Sequence, residues 1–194
     1  MKSTVAAYVD GVGLLGPGIA SWTEGALILS AQRAWVAAPT VVPPPQSLPP
    51  AERRRTGGIV KLALAVGLEA IAHAGADAAQ LPAVFTSSGG DGQNCHEICQ
   101  ALASSERLLS PTRFHNCVHN AAAGYWGIAT GAMPAANALC AHDGSFSAGL
   151  LEALTQVVTE RTGVLLVAYD TGYPEPIRAA RIGLCRTPLW SRAF

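Results

Sequence analysis

Short apolar runs alternate with helical patterns along this sequence, and this alternation limits the folds that it can adopt. AVFTSSGG at 83–90, AANALC at 135–140 and GVLLVAYD at 163–170 are brief, mostly apolar and followed by turn residues. Runs of this kind are typical of buried strands. STVAAYVDGVGLLGPG near the N-terminus predicts one more strand that ends in a glycine turn. Because helical patterns separate these runs, the sequence predicts an α/β layered domain.

The segments between the strands have the three- and four-residue apolar spacing of helices. The predicted helices are residues 22–35, 51–74, 93–108, 118–130 and 145–159. SPTRFHN at 110–116 is interpreted as a loop, and IRAARIGLCRTPLW at 177–190 as a possible last strand. PTVVPPPQSLPP at 39–50 holds six prolines, so it predicts a surface loop, partly polyproline-like. Since no linker divides the chain, we expect one domain over residues 1–194.

Composition excludes several classes of function. Lys plus Arg and Asp plus Glu are 13 each, which gives a formal net charge of zero, and the only basic run is Arg53, Arg54 and Arg55. We therefore expect no nucleic-acid partner. No apolar stretch is long enough for a membrane span, and Asp10 interrupts any signal-like segment. The sequence predicts a cytoplasmic protein. Charged residues make up only 13% of the chain, so we expect a partner to cover part of the surface.

The cysteines do not have the spacing of a metal site or of a disulfide framework. The chain has five cysteines, an odd number, and no secretion signal. CHEIC and HNCVH lack the two paired knuckles of a structural zinc site, so we predict no bound metal. Cys95 and Cys99 lie one helical turn apart, which is consistent with core thiols.

The stretch SPTRFHNCVHNAAAGYWGIATG and the following NALCAHDGSF carry the candidate functional residues. Asn116 and Asn120 have side chains that can cap a helix or tie loops to the backbone. Cys140 ends a predicted strand shortly before a helix, which in outline is the position of a nucleophile. Such a thiol needs a base, and His119 or His142 would have to supply it. A small apolar residue in a crowded turn is the alternative interpretation of Cys140.

Several motifs, in this order, resemble the N-terminal half of a β-ketoacyl synthase, the condensing enzyme of the thiolase fold. They are VAAYVDGVGLLG, ERRRTGGIVKLALAVGLEAIAHAGAD, AVFTSSGGDG, HNCVHNAAAGYWGIATG and NALCAHDGSFSAGLLEAL. SPTRFHN, VHNAAAGYW and SFSAGLLEAL resemble more closely the short chain-length-factor-like proteins of aryl polyene and xanthomonadin-type pathways. The resemblance implies the N-terminal half of a thiolase-like fold: layered α/β/α with a mixed, mainly parallel sheet.

The resemblance places Cys140 at the nucleophile position and implies no cofactor. Condensing enzymes draw two histidines and a Phe-Gly-rich segment from a second half of the chain, whereas this sequence stops at Phe194. The leading hypothesis is therefore a largely non-catalytic subunit that shapes the acyl tunnel of a partner ketosynthase working on acyl carrier protein. Phe146 would act as a gate behind Cys140, while Asn116, His119 and Asn120 would shape the neighbouring turn.

Two other hypotheses remain open at this point. In the first, Cys140 accepts an acyl group, as in an acyltransferase or thioesterase. In the second, a homodimer docks acyl carrier protein through Arg53, Arg54 and Arg55, although consecutive arginines are more often a solvated helix start. A dimer is expected in the leading hypothesis too, a heterodimer with a complete ketosynthase, because the short AANALC strand resembles an edge available for pairing.

Overall fold

The computed structural model describes residues 5–182 and 191–193. The strands are β1 (Gly13–Leu15), β2 (Ala83–Thr86), β3 (Ala136–Leu139), β4 (Leu165–Ala168) and β5 (Ser191–Ala193). The helices are α1 (Trp22–Leu29), α2 (Pro50–Arg55), α3 (Gly58–Ala74), α4 (Gly92–Ala103), α5 (Pro111–Asn116), α6 (Ala121–Thr130), α7 (Ser145–Glu160) and α8 (Ile177–Ile182).

The strands form one mixed sheet in the order β1-β5-β4-β2-β3. β2 runs parallel to β3 and β4, with Ala83 opposite both Ala136 and Leu165. β5 is antiparallel to β1 and β4, so every described strand except β5 runs in the same direction. Within the described residues β3 is an edge strand, because β2 is its only neighbour in the sheet.

Helices cover both faces of the sheet. α3 and α6 pack together on one face, and α7 packs against β2, β3 and β4 on the other. Phe85 of β2 and Trp126 of α6 are fully buried in the larger core, with ring centroids 6.1 Å apart. A smaller core lies between α7 and the sheet and consists of Val84 of β2, Leu166 of β4 and Ala153 of α7. The predicted thiolase-like α/β/α layering with a mainly parallel sheet is confirmed.

Glu69 of α3 fixes the start of the chain to this scaffold. Its two carboxylate oxygens accept hydrogen bonds from the backbone amides of Leu14, at 2.8 Å, and Trp22, at 2.6 Å. One side chain thus satisfies an amide of β1 and an amide at the beginning of α1, where helix amides lack backbone partners. The first strand and the first helix are held to the core helix by the same carboxylate.

The helix predicted over residues 51–74 is wrong in one respect, because two helices occupy the segment. Thr56 has an extended backbone, with ψ 130°, and its hydroxyl donates a hydrogen bond to Arg53 O at 2.9 Å. α3 then begins after Gly57. Threonine and glycine favour non-helical conformations, so this break had a local signal that the apolar periodicity hid.

Residues 110–116, interpreted as a loop, contain α5 instead. The Ser110 hydroxyl caps the Arg113 amide, and Pro111 occupies the first turn. Proline at this position loses no helical hydrogen bond, because the first amides have no partner within the helix. A serine followed by proline was therefore a helix-start signal.

Other boundaries differ by a few residues. α1 ends at Leu29, before Ala31 with its positive φ of 58°, rather than at residue 35. α4 ends at Ala103 rather than at residue 108, and α6 begins at Ala121 rather than at residue 118. Where a last strand was predicted, the tail begins with α8, and residues 183–190 lie outside the described part of the chain.

The predicted proline-rich loop contains no helix before Pro50 and no strand. It is anchored by Leu48, whose side chain is buried in the larger core. Arg53 holds it from the other side, donating hydrogen bonds to Gln46 Oε1 at 2.7 Å and to Leu48 O at 3.1 Å. Among the residues that the structure describes, no helix combines the length and the apolar character that a membrane span requires.

Candidate functional site

The parallel strands β2, β3 and β4 end at the same edge of the sheet, and the candidate site lies there. Residues 87–91 follow β2, residues 140–144 follow β3, and residues 169–173 follow β4. In sheets of parallel strands, ligands bind in the crevice at these carboxyl ends. Side chains distant in sequence are therefore brought together at this edge.

Cys140 directly follows β3, and its side chain is exposed. The thiol donates a hydrogen bond to the backbone carbonyl of Ser88, at 3.3 Å. α7 begins five residues later, at Ser145, and the left-handed residue of the turn between them is His142, with φ 51°. A carbonyl accepts a hydrogen bond without removing the proton, so this contact does not activate the thiol.

His119 reaches the same strand end from the turn before α6. Its Nε2 atom lies 3.0 Å from Leu139 O, the residue before Cys140. Because a carbonyl only accepts, Nε2 must carry the hydrogen in this contact. Nδ1 faces Gly90, where an added Cβ would lie 3.3 Å away. The structure thus brings His119 to the turn that it was predicted to shape, with Nε2 engaged by the backbone.

His142, the other candidate base, is exposed on the turn after Cys140. Its Nδ1 atom lies 3.4 Å from Asp143 Oδ2. A histidine beside a carboxylate is oriented by that partner. The contact directs Nδ1 of His142 towards Asp143, the next residue in the chain.

A polar network joins the ends of β2 and β4, and the sequence interpretation missed it. Asp170 Oδ1 accepts hydrogen bonds from Ser87 Oγ at 3.1 Å, from Ser88 N at 2.9 Å and from Ser88 Oγ at 2.8 Å. The hydroxyls of Ser88 and Tyr173 are 2.8 Å apart. The network fixes the residue whose carbonyl binds the Cys140 thiol. An SSGG turn after one buried strand and an aspartate after another were the available signals.

Glycine is required in the same turn. A Cβ on Gly89 would lie 2.5 Å from the Tyr173 hydroxyl oxygen, and Gly90 has a positive φ of 56°. L-residues rarely adopt this conformation. The turn after β2 therefore fits closely against Tyr173 on one side and His119 on the other.

Ser145, also missed, closes the turn that carries Cys140. The buried Ser145 hydroxyl donates to His142 O at 2.6 Å and accepts from Ala141 N at 3.0 Å. Its carbonyl accepts a hydrogen bond from Thr86 Oγ1 at 2.6 Å. The hydroxyl of Ser145 thus holds the turn, and its backbone carbonyl ties the turn to β2.

The other predicted site residues differ in their surroundings. Asn116 is buried and binds Arg55 O at 2.7 Å, while its Oδ1 accepts a hydrogen bond from the Tyr125 hydroxyl at 3.1 Å. Asn120 is exposed at the start of α6 and makes no side-chain cap. Phe146 is half-buried against the smaller core under α7. Its role as a gate stays a prediction.

The three arginines do not form one free basic patch. Arg53 is engaged with the proline-rich loop, and Arg55 pairs with Glu52 at 3.4 Å. Arg54 is exposed. Docking of a carrier protein stays a prediction for Arg54 and Arg55, whereas Arg53 has a structural contact.

The helical spacing of Cys95 and Cys99 predicted thiols in the core, and this prediction is wrong. Cys95 and Cys99 are both exposed, because α4 buries none of its residues. Among the residues that the structure describes, no three His, Cys, Asp or Glu side chains are grouped so that they hold a metal ion.

Comparison with known proteins gives a family. Residues 29–182 match the family described as Beta-ketoacyl synthase, N-terminal domain. Comparison with curated proteins gave no match. Among solved structures, one similar chain comes from the complex of the ketosynthase ApeO with its chain length factor ApeC from Xenorhabdus doucetiae. It is 26% identical, with a TM-score of 0.72, over 94% of this chain and 74% of that chain.

Two larger proteins share the fold. A β-ketoacyl synthase from Burkholderia phymatum STM815 is 16% identical with a TM-score of 0.68, over 90% of this chain and 48% of that one. A chain of the AntDE:AntF complex, a type II PKS acyl-carrier protein with its ketosynthase bound to the hexaketide, is 12% identical with a TM-score of 0.68. The match covers 90% of this chain and 53% of that one, so this chain spans about half the length of each.

The family match covers well over half of the sequence, and the sheet order and helix layers place it on the ketosynthase fold. The chain belongs to the family of β-ketoacyl synthase N-terminal domains.

Proposed function

We propose that this chain is a chain-length-factor-type subunit. In this proposal it pairs with a ketosynthase, does not itself condense acyl groups, and limits the length of an acyl chain carried by acyl carrier protein. The family match and the likeness to a chain from a ketosynthase–chain length factor complex support it. A further similar structure holds an acyl-carrier protein with its ketosynthase. Aryl polyenes are the product class that the sequence resemblance favours.

The observation that carries the proposal is the state of the Cys140 thiol. Its hydrogen bond goes to a carbonyl, and the neighbouring His119 has its Nε2 committed to Leu139 O. A nucleophilic thiol requires a base or a strongly positive surrounding. The contacts at Cys140 provide neither, and they instead support a structural role for this thiol in the turn after β3.

The surface around β3 supports a partner. Ala136 and Asn137 of β3 are exposed, and the backbone edge of this strand has no neighbour among the described strands. Met133, just before β3, is 90% exposed. An exposed and uncharged strand edge is a template for pairing with another chain. In this proposal the ketosynthase adds its own strand to β3.

Besides the edge of β3, α4 has an exposed apolar face that could contact an acyl chain or the partner that holds this chain. Four residues of α4 have the spacing of a single helix face: Cys95, Ile98, Cys99 and Leu102. None of them is buried, and Phe114 and Val118 of the next segment are 64% and 51% exposed. Apolar side chains concentrated in this way mark an interaction site.

Substitution at the strand edge tests the pairing. We expect Ala136→Lys to lower co-purification with the ketosynthase of the same pathway by at least roughly tenfold, because a buried unpaired charge is costly. The matched control is Thr23→Lys on α1, which packs on β1 at the opposite edge of the sheet. Equal co-purification of both variants would contradict the proposed interface.

The alternative function is acyl transfer through Cys140. The exposure of this side chain favours the alternative, because an acyl donor can reach the thiol. Incubation with an acyl thioester and mass spectrometry distinguishes the two. The leading proposal expects no acyl group on Cys140 and an unchanged product length in a Cys140→Ala complex. Acylation that disappears in Cys140→Ala would favour the alternative.

In this proposal residues 1–194 act as one ketosynthase-like N-terminal domain in the cytoplasm. The free thiols at Cys95, Cys99, Cys117 and Cys140 support the location, since reduced cysteines are typical of that compartment. The proposal also includes docking of the carrier protein at Arg54 and Arg55. Replacing both by glutamate should weaken carrier binding and leave ketosynthase binding unchanged.

A further inference from the structure

Three thiols are grouped where α4 meets α5. Cys95 and Cys99 lie on successive turns of α4, and Cys117 directly follows the last residue of α5. All three side chains are exposed, and all three are free. The proposed function assigns no chemistry to any of them.

Hydrogen bonds bring Cys117 to the beginning of α4. Asn94, the neighbour of Cys95, donates from Nδ2 to Arg113 O at 2.8 Å. In a continuous helix that carbonyl would bind the amide of residue 117, four positions on. The Cys117 amide instead binds Phe114 O, at 3.3 Å. Asn94 thus replaces the helical partner, which places Cys95 and Cys117 on adjoining parts of the two helices.

An ion pair holds the same two helices together. Arg113 of α5 pairs with Glu97 of α4. Although the residue as a whole is exposed, partial burial and a hydrogen bond with Cys99 raise the pKa of the Cys95 thiol, and the nearby thiols of Cys99 and Cys117 raise it further. The last two effects require both thiols to lie near Cys95. The geometry and the electrostatics therefore agree that Cys95 is the central member of the group.

We propose that Cys95 and Cys117 form an intramolecular disulfide when the chain meets a peroxide, which makes the α4–α5 junction an oxidation site. The choice of pair follows from helix geometry. Residues one turn apart in a helix have Cβ atoms about 5–6 Å apart. A disulfide needs about 3.5–4.5 Å between them. Cys95 and Cys99 cannot reach this distance without unwinding α4, whereas Cys117 belongs to another element.

The chemistry is a two-electron oxidation with hydrogen peroxide as the oxidant. The thiolate of one cysteine attacks a peroxide oxygen, the O–O bond breaks, and a sulfenic acid and water result. The second thiol attacks the sulfenic sulfur, and the S–S bond forms as a second water leaves. Two thiols and one peroxide give one disulfide and two waters. Since thiolates are the nucleophiles, the reaction is faster at alkaline pH.

The disulfide would alter the apolar surface of α4, of which Cys95 is a member. It would also fix the segment that runs from Asn116, at the end of α5, to His119. We therefore expect the oxidised chain to bind its ketosynthase less tightly, by about tenfold. This consequence rests on the proposed function, whereas formation of the disulfide does not.

Peptide mapping of the full-length chain tests the site. The chain is treated with hydrogen peroxide, the remaining thiols are alkylated, and it is digested without reduction for mass spectrometry. We expect a peptide pair linked through Cys95 and Cys117 in the unmodified chain and in Cys99→Ser. The link should be absent in Cys95→Ser and in Cys117→Ser, with circular dichroism as the control for folding.

Other products would overturn the inference. These are a link between Cys95 and Cys99, a dominant link to any other cysteine, or sulfinic acids without a disulfide. Loss of ketosynthase binding in the reduced chain would count against the proposed function alone. A disulfide that forms as expected and leaves ketosynthase binding unchanged would keep the oxidation site and remove its effect on docking.

Discussion

Asn116 connects two segments that are distant in sequence. Its amide group donates to the carbonyl of Arg55, the last residue of α2, and its oxygen accepts from the Tyr125 hydroxyl of α6. The side chain is buried, and both bonds are lost when it is removed. A buried polar group without a partner costs more free energy than the bond that it made contributed.

Replacing Asn116 by alanine should therefore destabilise the fold. We expect the free energy of unfolding to fall by about 1–3 kcal/mol, because the Arg55 carbonyl and the Tyr125 hydroxyl lose their partner. Asn120→Ala is the matched control, since Asn120 is exposed and makes no cap. Its effect should stay within about 0.5 kcal/mol. Urea denaturation measures both variants, and equal effects would contradict the role assigned to Asn116.

Two tyrosines predict the response of stability to alkaline pH. Burial raises the pKa of Tyr169, and the nearby Asp170 carboxylate raises it further. Burial also raises the pKa of Tyr125. The folded state thus holds these protons more tightly than the unfolded state, in which the pKa of tyrosine is about 10. The stability that the two protonated tyrosines contribute is fully present below about pH 10 and is lost as the pH rises above that value.

Denaturation at a series of pH values tests this sign. We expect the free energy of unfolding to fall between about pH 10 and about pH 11. Tyr169→Phe should reduce the slope, because the variant has one fewer group to titrate. A stability that rises with pH over this interval would contradict the assignment.

At the scale of the elements, one glycine sets the distance between α7 and the sheet. A Cβ on Gly149 would lie 2.7 Å from Thr86 Cγ2 and 3.1 Å from Leu166 Cδ1. Both neighbours belong to strands under the helix. α7 therefore lies close to β2 and β4 only because this position has no side chain.

Gly149→Ala should destabilise the chain, and Gly124→Ala should not. Overpacking a close contact costs about 1–3 kcal/mol. Gly124 of α6 has no atom within 4 Å of an added Cβ, so alanine there should stabilise the helix by about 0.5–1 kcal/mol. Thermal unfolding of the two variants gives the comparison. A Gly149→Ala chain as stable as Gly124→Ala would show that α7 adjusts its position freely.

Apolar periodicity in the sequence predicted whether most elements are helices or strands. The structure differs from these predictions where a single residue starts or ends a helix. Apolar periodicity gave α7 and the strands β2, β3 and β4 nearly correctly. The apolar periodicity continues through Thr56, although the hydrogen bond from the Thr56 hydroxyl to Arg53 O lies at the end of α2. In the short α5 this periodicity is absent. Capping side chains decide such boundaries, and apolar spacing does not detect them.

The candidate site was predictable only in part, for a similar reason. Cys140 and His119 belong to recognisable motifs, and both reach the end of β3. Asp170 is 82 residues from Ser88, and its role depends on strand pairing that spacing does not determine. The contact of the Cys140 thiol with a carbonyl depends on the same pairing. Long-range register was the missing information.

At the scale of the whole molecule, the uncovered surfaces lie on particular elements. The edge of β3 has no neighbour among the described strands, and the apolar face of α4 is not buried. In the proposed function the partner pairs at β3 and carries out the condensation.

Native mass spectrometry of this chain, produced with and without the ketosynthase of its pathway, tests whether it is a non-catalytic partner of that enzyme. We expect a one-to-one complex in which Cys140 carries no modification. A homodimer that persists beside the ketosynthase and carries an acyl group on Cys140 would contradict it, and would assign the chemistry to this chain.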